Sequence, residues 1–305
     1  MKFQILFLLL AFTTEAQITK SDSLNFQSYH MATNNAEILL YEKKFPESMQ
    51  QYLNAFTILN PSLTDLVNST ITAAMCKNKV VVRELLLKSF SSGFNIDIVL
   101  KKKIIREVLD KNEIIQIYNN ADKSQYDPKL KNIIDSLIAV DQNNRLKKTV
   151  NSKDIDTQNA LFLKKLIISE GFPSESKIGY YPSIYILFSH NLAFWLSNEN
   201  IDFTNSLLFK GNISPEVYAL LQDRMKLHKT NFKERVYYLP YNFLGENSRR
   251  KKFSVIPIDN YINFELIPKI NEKRERIGLQ NVEKSQKINE KKFNKKYQLL
   301  ISGLL

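Results

Sequence analysis

Few residues in this 305-residue chain are of a type and setting suited to acid–base or anion-binding chemistry, and those lie in its second half. His190, in Phe188-Ser189-His190-Asn191, is one of only three histidines and sits inside the apolar segment Tyr181–Leu196. A histidine placed among Ile186, Leu187 and Phe194 has to pair its ring nitrogens, because an unsatisfied buried group costs about 1–3 kcal/mol. Asp223 is the expected partner. A carboxylate on one nitrogen fixes the tautomer and leaves the other free as acid or base. Arg224 and Arg276 can hold a substrate carboxylate or phosphate with two parallel N–H donors. Asp141, Arg145, Asp156 and Asn159 are expected at helix ends as further binding or network residues. The plainer reading of the same set is a group of His–Asp and Asp–Arg bonds that pin helices together.

Other chemistries are excluded or unsupported. The sequence has no HExxH, paired CxxC, glycine-rich phosphate loop or GxSxG. His30 and His228 have no second ligand nearby in sequence, so neither a metal site nor a cofactor is expected. Many serines could meet His190 in three dimensions, and sequence selects none of them. Cys76 is the single cysteine, which makes an intrachain disulfide impossible. Its place in Ile71–Cys76 (ITAAMC) is that of a small buried hydrophobe.

The elements that must position these residues are helical. From Leu24 to Val150 apolar residues recur at helical spacing. Ser62 with Asp65 makes a capping start before Leu66, Ile71 and Met75. Gly93 is a helix stop, and Asp127-Pro128 opens a helix that runs to about Leu146. Beyond it, Asp156 and Asn159 begin a helix closed by Gly171, and Gly171-Phe172-Pro173-Ser174 is a turn. Gly211 ends another helix. Ser214-Pro215-Glu216 restarts one with a serine cap, a proline at the first position and an acid suited to the dipole. Val236–Leu239 and Phe253–Ile258 are the strand candidates, forming a short β-hairpin. Gly278 closes the helix that contains Arg276.

Two resemblances follow from these residues. Ala36 to Asn60 resembles a tetratricopeptide repeat, with Ala36, Leu39, Phe45, Ser48, Tyr52 and Ala55 in its small and large positions; a weaker unit follows from Asp65 to Gly93. This implies a surface for peptides or partner proteins and no chemistry. From about Ala139 to Asn281 the chain resembles the bacterial domain-of-unknown-function family numbered 6624. The matching residues are Asp141 with Arg145, Asp156 with Asn159, Gly171-Phe172-Pro173 with Gly179, His190, Ala219 with Asp223-Arg224, and Arg276-Ile277-Gly278-Leu279. The family's Tyr-Gly-Thr-Gln is replaced here by Tyr238-Leu239-Pro240-Tyr241, so a site that used the glutamine is altered.

Lys2 followed by the apolar run Phe3–Phe12 and the small residues Thr14 and Ala16 has the anatomy of a secretory signal peptide, cut near Ala16. The run is too short to span a bilayer, and no later run approaches that length. The chain is therefore expected to be periplasmic or secreted, with no transmembrane segment after cleavage. Its net charge of +12 is partly local, since Lys269–Lys296 holds eight Lys and two Arg against four Glu. Export makes nucleic acid an improbable partner, which leaves a solvated face or an anionic surface or glycan. The expected layout is a signal peptide over 1–16, tetratricopeptide-like hairpins over 17–138, an α-rich domain with a short β-hairpin over 139–281, and a basic helix over 282–305. The expected function is protein or peptide binding in the envelope. The alternative is an envelope hydrolase using His190 with Asp223 and an arginine clamp.

Overall fold

The structure, a computed structural model, describes residues 20–147, 152–179, 183–230, 236–237 and 264–288. It is mainly α-helical, and among the described residues there is no strand. The signal peptide, the second strand candidate, the basic cluster at 249–252 and the last part of the basic helix lie outside those residues. Of the first strand candidate only Val236 and Tyr237 are described, and they form a bend. No described helix is long and apolar enough to cross a membrane.

Among the described residues, seven helices form the first half: α1 (Lys20–Tyr41), α2 (Phe45–Ala55), α3 (Leu63–Met75), α4 (Lys79–Ser91), α5 (Ile96–Lys101), α6 (Lys103–Arg106) and α7 (Lys111–Asn119). Helices α1–α2 and α3–α4 are hairpins that turn by the same device. Lys43 and Lys77 adopt left-handed backbone at φ 62° and 54°. In each turn two successive N–H groups bond back to the orphan carbonyls of the preceding helix, Lys43 and Lys44 to Leu40 and Leu39, Lys77 and Asn78 to Ala74 and Ala73. The two lysines stand 34 positions apart, and the fully buried residues repeat at that offset: Ala36 and Thr70, Ser48 and Val82, Tyr52 and Leu86, Ala55 and Ser89. Small residues let the paired helices approach. The Ser48 hydroxyl donates to the Ala36 carbonyl at 2.6 Å across the first hairpin.

The second half contains α8 (Pro128–Lys147), α9 (Ser152–Glu170), α10 (Glu175–Ile178), α11 (Ile184–His190), α12 (Leu192–Trp195), α13 (Ile201–Phe209), α14 (Pro215–Lys229), α15 (Ile267–Arg276) and α16 (Val282–Ile288). Helix α8 runs unbroken through position 138, where the domain change was expected. Its Leu130, Ile134 and Ile138 join a core with Leu163, Phe188, Trp195, Leu208 and Ala219. A separate core joins Leu63, Ile71, Leu86, Phe90 and Ile117. The apolar segment around His190 is broken rather than continuous. Asn191 leaves the helical region and caps α12, its side chain accepting from the Phe194 N–H.

The two halves meet backbone to backbone at Gly93 and Gly179. A Cβ on Gly93 would fall 2.6 Å from the Gly179 Cα and 2.7 Å from the Glu175 carbonyl, and Gly93 has φ +82°. Gly93→Ala is therefore expected to destabilise by about 1–3 kcal/mol through left-handed strain alone, with the clash adding to it. Lys77→Gly is expected to do the opposite, gaining about 1 kcal/mol by removing a side chain from left-handed backbone. Urea unfolding of the two variants measures both, and the opposite signs are the check.

Candidate functional site

The ends of α8, α9 and α11 bring four of the expected residues together. His190 is the last residue of α11, and its Nδ1 lies 2.8 Å and 3.0 Å from the two Asp141 oxygens. Asp141 lies on α8 one turn before Arg145, so both point to the same side of that helix. The Nη2 of Arg145 donates to Asp156 on α9 at 2.7 Å, and its Nε lies 2.9 Å from His190 Nδ1 and 3.6 Å from Asp141. Asp141 is an obligate acceptor when ionised and only 1% of its side chain is exposed. We assign the Nδ1 proton to His190, donated to Asp141, with Arg145 lying beside the pair. The Gln142 side chain adds another donor to Asp141 at 2.6 Å. Among the described residues Nε2 of His190 has no hydroxyl partner.

The expected His190–Asp223 pair is not formed. Asp223 is buried at α14 and its Oδ1 accepts from the N–H groups of both Val236 and Tyr237 at 2.7 Å. It fastens the chain after α14 rather than orienting the histidine. Tyr237 is held from its other polar end by Arg274, whose Nη1 donates to the Tyr237 carbonyl at 2.7 Å while its Nε donates to Gln280 at 2.6 Å. Arg274, 1% exposed, is thus the buried arginine of α15. Arg276, two positions on and facing away, is exposed and pairs with Glu272 one turn back. It takes no part in a clamp with His190. Asn159 is buried one turn after Asp156, and its amide nitrogen has no hydrogen-bond partner.

Arg224 sits differently from the other arginines. It is half-buried, and among the described residues it has neither a hydrogen bond nor an ion pair. Burial and then the charge of Arg145 push its guanidinium pKa down. An arginine held near a second cation without a carboxylate of its own is a ready anion site. Around it, burial pushes the Asp141 carboxyl up, but the His190 hydrogen bond and the charges of His190 and Arg145 outweigh that and hold it below the usual range. The balance falls the other way for Asp156, which burial and the nearby Asp141 raise against the pull of Arg145.

A second group was missed entirely. Glu37 on α1, Asp65 on α3, Glu175 on α10 and Glu216 on α14 act on one another electrostatically, with protein packed round each, yet each stays partly accessible. Burial, with mutual repulsion, pushes Glu37 up to about 8 and Glu175 and Glu216 up to about 7. Asp65 is raised by burial as well, although Tyr29 at 2.6 Å and Ser62 at 2.7 Å both donate to it. Glu37 accepts from Gln280 and Glu175 from the Leu63 N–H. In sequence Asp65 and Glu216 read as ordinary first-turn acids of capped helices, which they also are. Nothing local shows that these helix starts face each other.

No family model, curated protein or solved structure matches the chain.

Asp141 has a depressed folded pKa, so its stabilisation is present above its unfolded value near 3.8 and is lost as pH falls through the folded one. Asp141→Asn is accordingly expected to cost about 1–3 kcal/mol at neutral pH. Asp156→Asn, whose carboxyl is raised, costs less in the same urea titration. The raised acids have the reverse sign. Between 4.5 and about 8 the folded state binds more protons than the unfolded one, so their effect is a loss of stability as pH rises. Glu37→Gln is expected to flatten that decline in thermal melts taken across the interval.

Proposed function

We propose that this is an exported protein of the cell envelope that binds a protein or peptide through tetratricopeptide-like helix pairs, with Arg224 as an anchor for an anionic group of the partner. The observation that carries the reading is the 34-residue recurrence of the turn and of the buried small and large positions in α1–α4. That is the length of a tetratricopeptide unit, an architecture whose stacked pairs present extended surfaces for partners. Export rests on the n-region, apolar run and small residues of the first sixteen positions. The resemblance to the unknown-function family is supported by Asp141, Arg145, Asp156 and His190, four residues of its pattern, meeting at one place. The basic segment after Val282 remains suited to an anionic surface or glycan.

A second reading, hydrolysis of an envelope polymer or peptide, is favoured by one feature. His190 has a buried carboxylate on Nδ1, the arrangement that makes Nε2 a general base. Asp141 takes the role that Asp223 was expected to fill. The absence of a hydroxyl on Nε2 among the described residues weighs for binding over a serine-type nucleophile.

Panning the purified chain against a library of peptides with free C-termini tests the binding reading. Selected peptides are expected to weaken roughly tenfold or more when amidated, and similarly with Arg224→Gln, while the melting temperature stays within a degree or so of wild type. Selection of no peptide would remove the binding reading. Selected peptides indifferent to both changes would remove Arg224 as the anchor.

A further inference from the structure

We propose that Glu37 and Glu175 form a pH-sensitive latch between the two halves, closed in mildly acidic solution and loosened as the pH rises. It does not depend on the peptide-binding reading. The geometry is that of an interface. Glu175 on α10 accepts from the Leu63 N–H at 3.2 Å, 112 positions away, and so caps the first turn of α3 from the other half. Glu37 on α1 accepts from the Gln280 side chain at 2.8 Å, 243 positions away. Glu175 also lies where the halves come close, since a Cβ on Gly93 would fall 2.7 Å from its carbonyl oxygen. Other bonds across the halves, from Gln27 to the Arg276 carbonyl and from Asn34 to the Gly278 carbonyl, use groups that do not titrate. The glutamates are the members of these bonds whose charge pH can change.

The groups around the latch add repulsion. Asp65 of α3 acts on both glutamates, and Glu216 of α14 acts on Glu37; Arg274 acts on Glu216. The Tyr29 and Tyr52 hydroxyls and the enclosed His30 stay neutral across the range in question. On the helices packed against α1, Glu47 of α2, Asp202 of α13 and Glu283 and Lys284 of α16 are exposed. On α8, which packs against α10, Lys131 pairs with Asp135, and Lys177 of α10 itself donates to the Glu170 carbonyl. A carboxyl in either state can accept the same N–H, because the neutral form keeps its carbonyl oxygen. What changes is the buried charge. Burial first, then repulsion, pushes Glu175 up to about 7 and Glu37 up to about 8 from an ordinary value of 4.5. Between those limits the closed form binds more protons than an open one, so closure weakens as pH rises through the interval and then levels off. Each core keeps its own apolar packing, which confines the loosening to the contact.

Hydrogen exchange of the purified full chain from about pH 5.5 to about pH 9, corrected for the intrinsic rate, tests this. Protection of the Leu63 N–H, which Glu175 holds directly, is expected to fall roughly tenfold or more across that range. Amides inside the two cores, those of Leu86 and Leu163, are expected to keep theirs. The double variant Glu37→Gln with Glu175→Gln retains both acceptor oxygens and cannot ionise, so its Leu63 protection should stay within about threefold from one end of the range to the other. Unchanged Leu63 protection in the wild type overturns the proposal, and so does an equal fall in the double variant. An equal fall at Leu86 and Leu163 would mean general unfolding and overturns it too. Should the double variant fail to fold, the wild-type comparison of Leu63 with the two cores decides.

Discussion

The closure of the first helix onto the turn after α15 is the interaction that makes one structure from two cores. Gln27 donates to the Arg276 carbonyl and Asn34 to the Gly278 carbonyl, partners 249 and 244 positions away. Gln280 reaches back to Glu37. Gly278 permits this approach, because a Cβ there would fall 2.7 Å from the Cβ of His30. His30 is consequently enclosed, and burial pushes its pKa down to about 3, so it serves as a neutral packing group. Phe26, one helical turn before it, enters the core formed by α8 to α14. Long-range closure of this kind costs chain entropy only slowly with loop length, so a few buried side chains and hydrogen bonds can hold it.

The same closure explains the electrostatics. Asp65 and Glu216 sit in first turns, where helix dipoles favour negative charge, and the hydroxyl of the capping Ser62 donates to the Asp65 carboxylate. Bringing those turns beside Glu37 and Glu175 removes solvent and adds repulsion, so favourable local choices become an unfavourable collective one. The His190 network shows the contrasting case. There Asp141 and Asp156 flank Arg145, and the charges largely answer one another.

Much of the fold was legible in the chain. Ser62, Ser214, Pro215 and the glycines at 93, 171, 211 and 278 mark helix starts and stops through capping and left-handed backbone, which are local properties. The break at Asn191 was not legible, because the apolar residues on either side of it suit one long helix. Arg145 with Asp141 was readable as a one-turn pair on a helix. The choice of Asp223 as the histidine's partner was not, since any acid on a neighbouring helix satisfies the same chemical rule. Arg276 was likewise preferred over Arg274, two positions apart on opposite faces, where only packing says which face is buried.

The sequence by itself determined the helical class, the positions of most helix ends, and the identity of the residues able to carry charge or protons. These follow from backbone conformation, capping and periodicity, which act over a few residues. Only the tertiary structure decided which of those residues meet. Pairing of His190 with Asp141 and capture of Tyr237 between Asp223 and Arg274 both join residues from separate parts of the chain. Their energies depend on burial and on distance between elements, neither of which a linear spacing encodes.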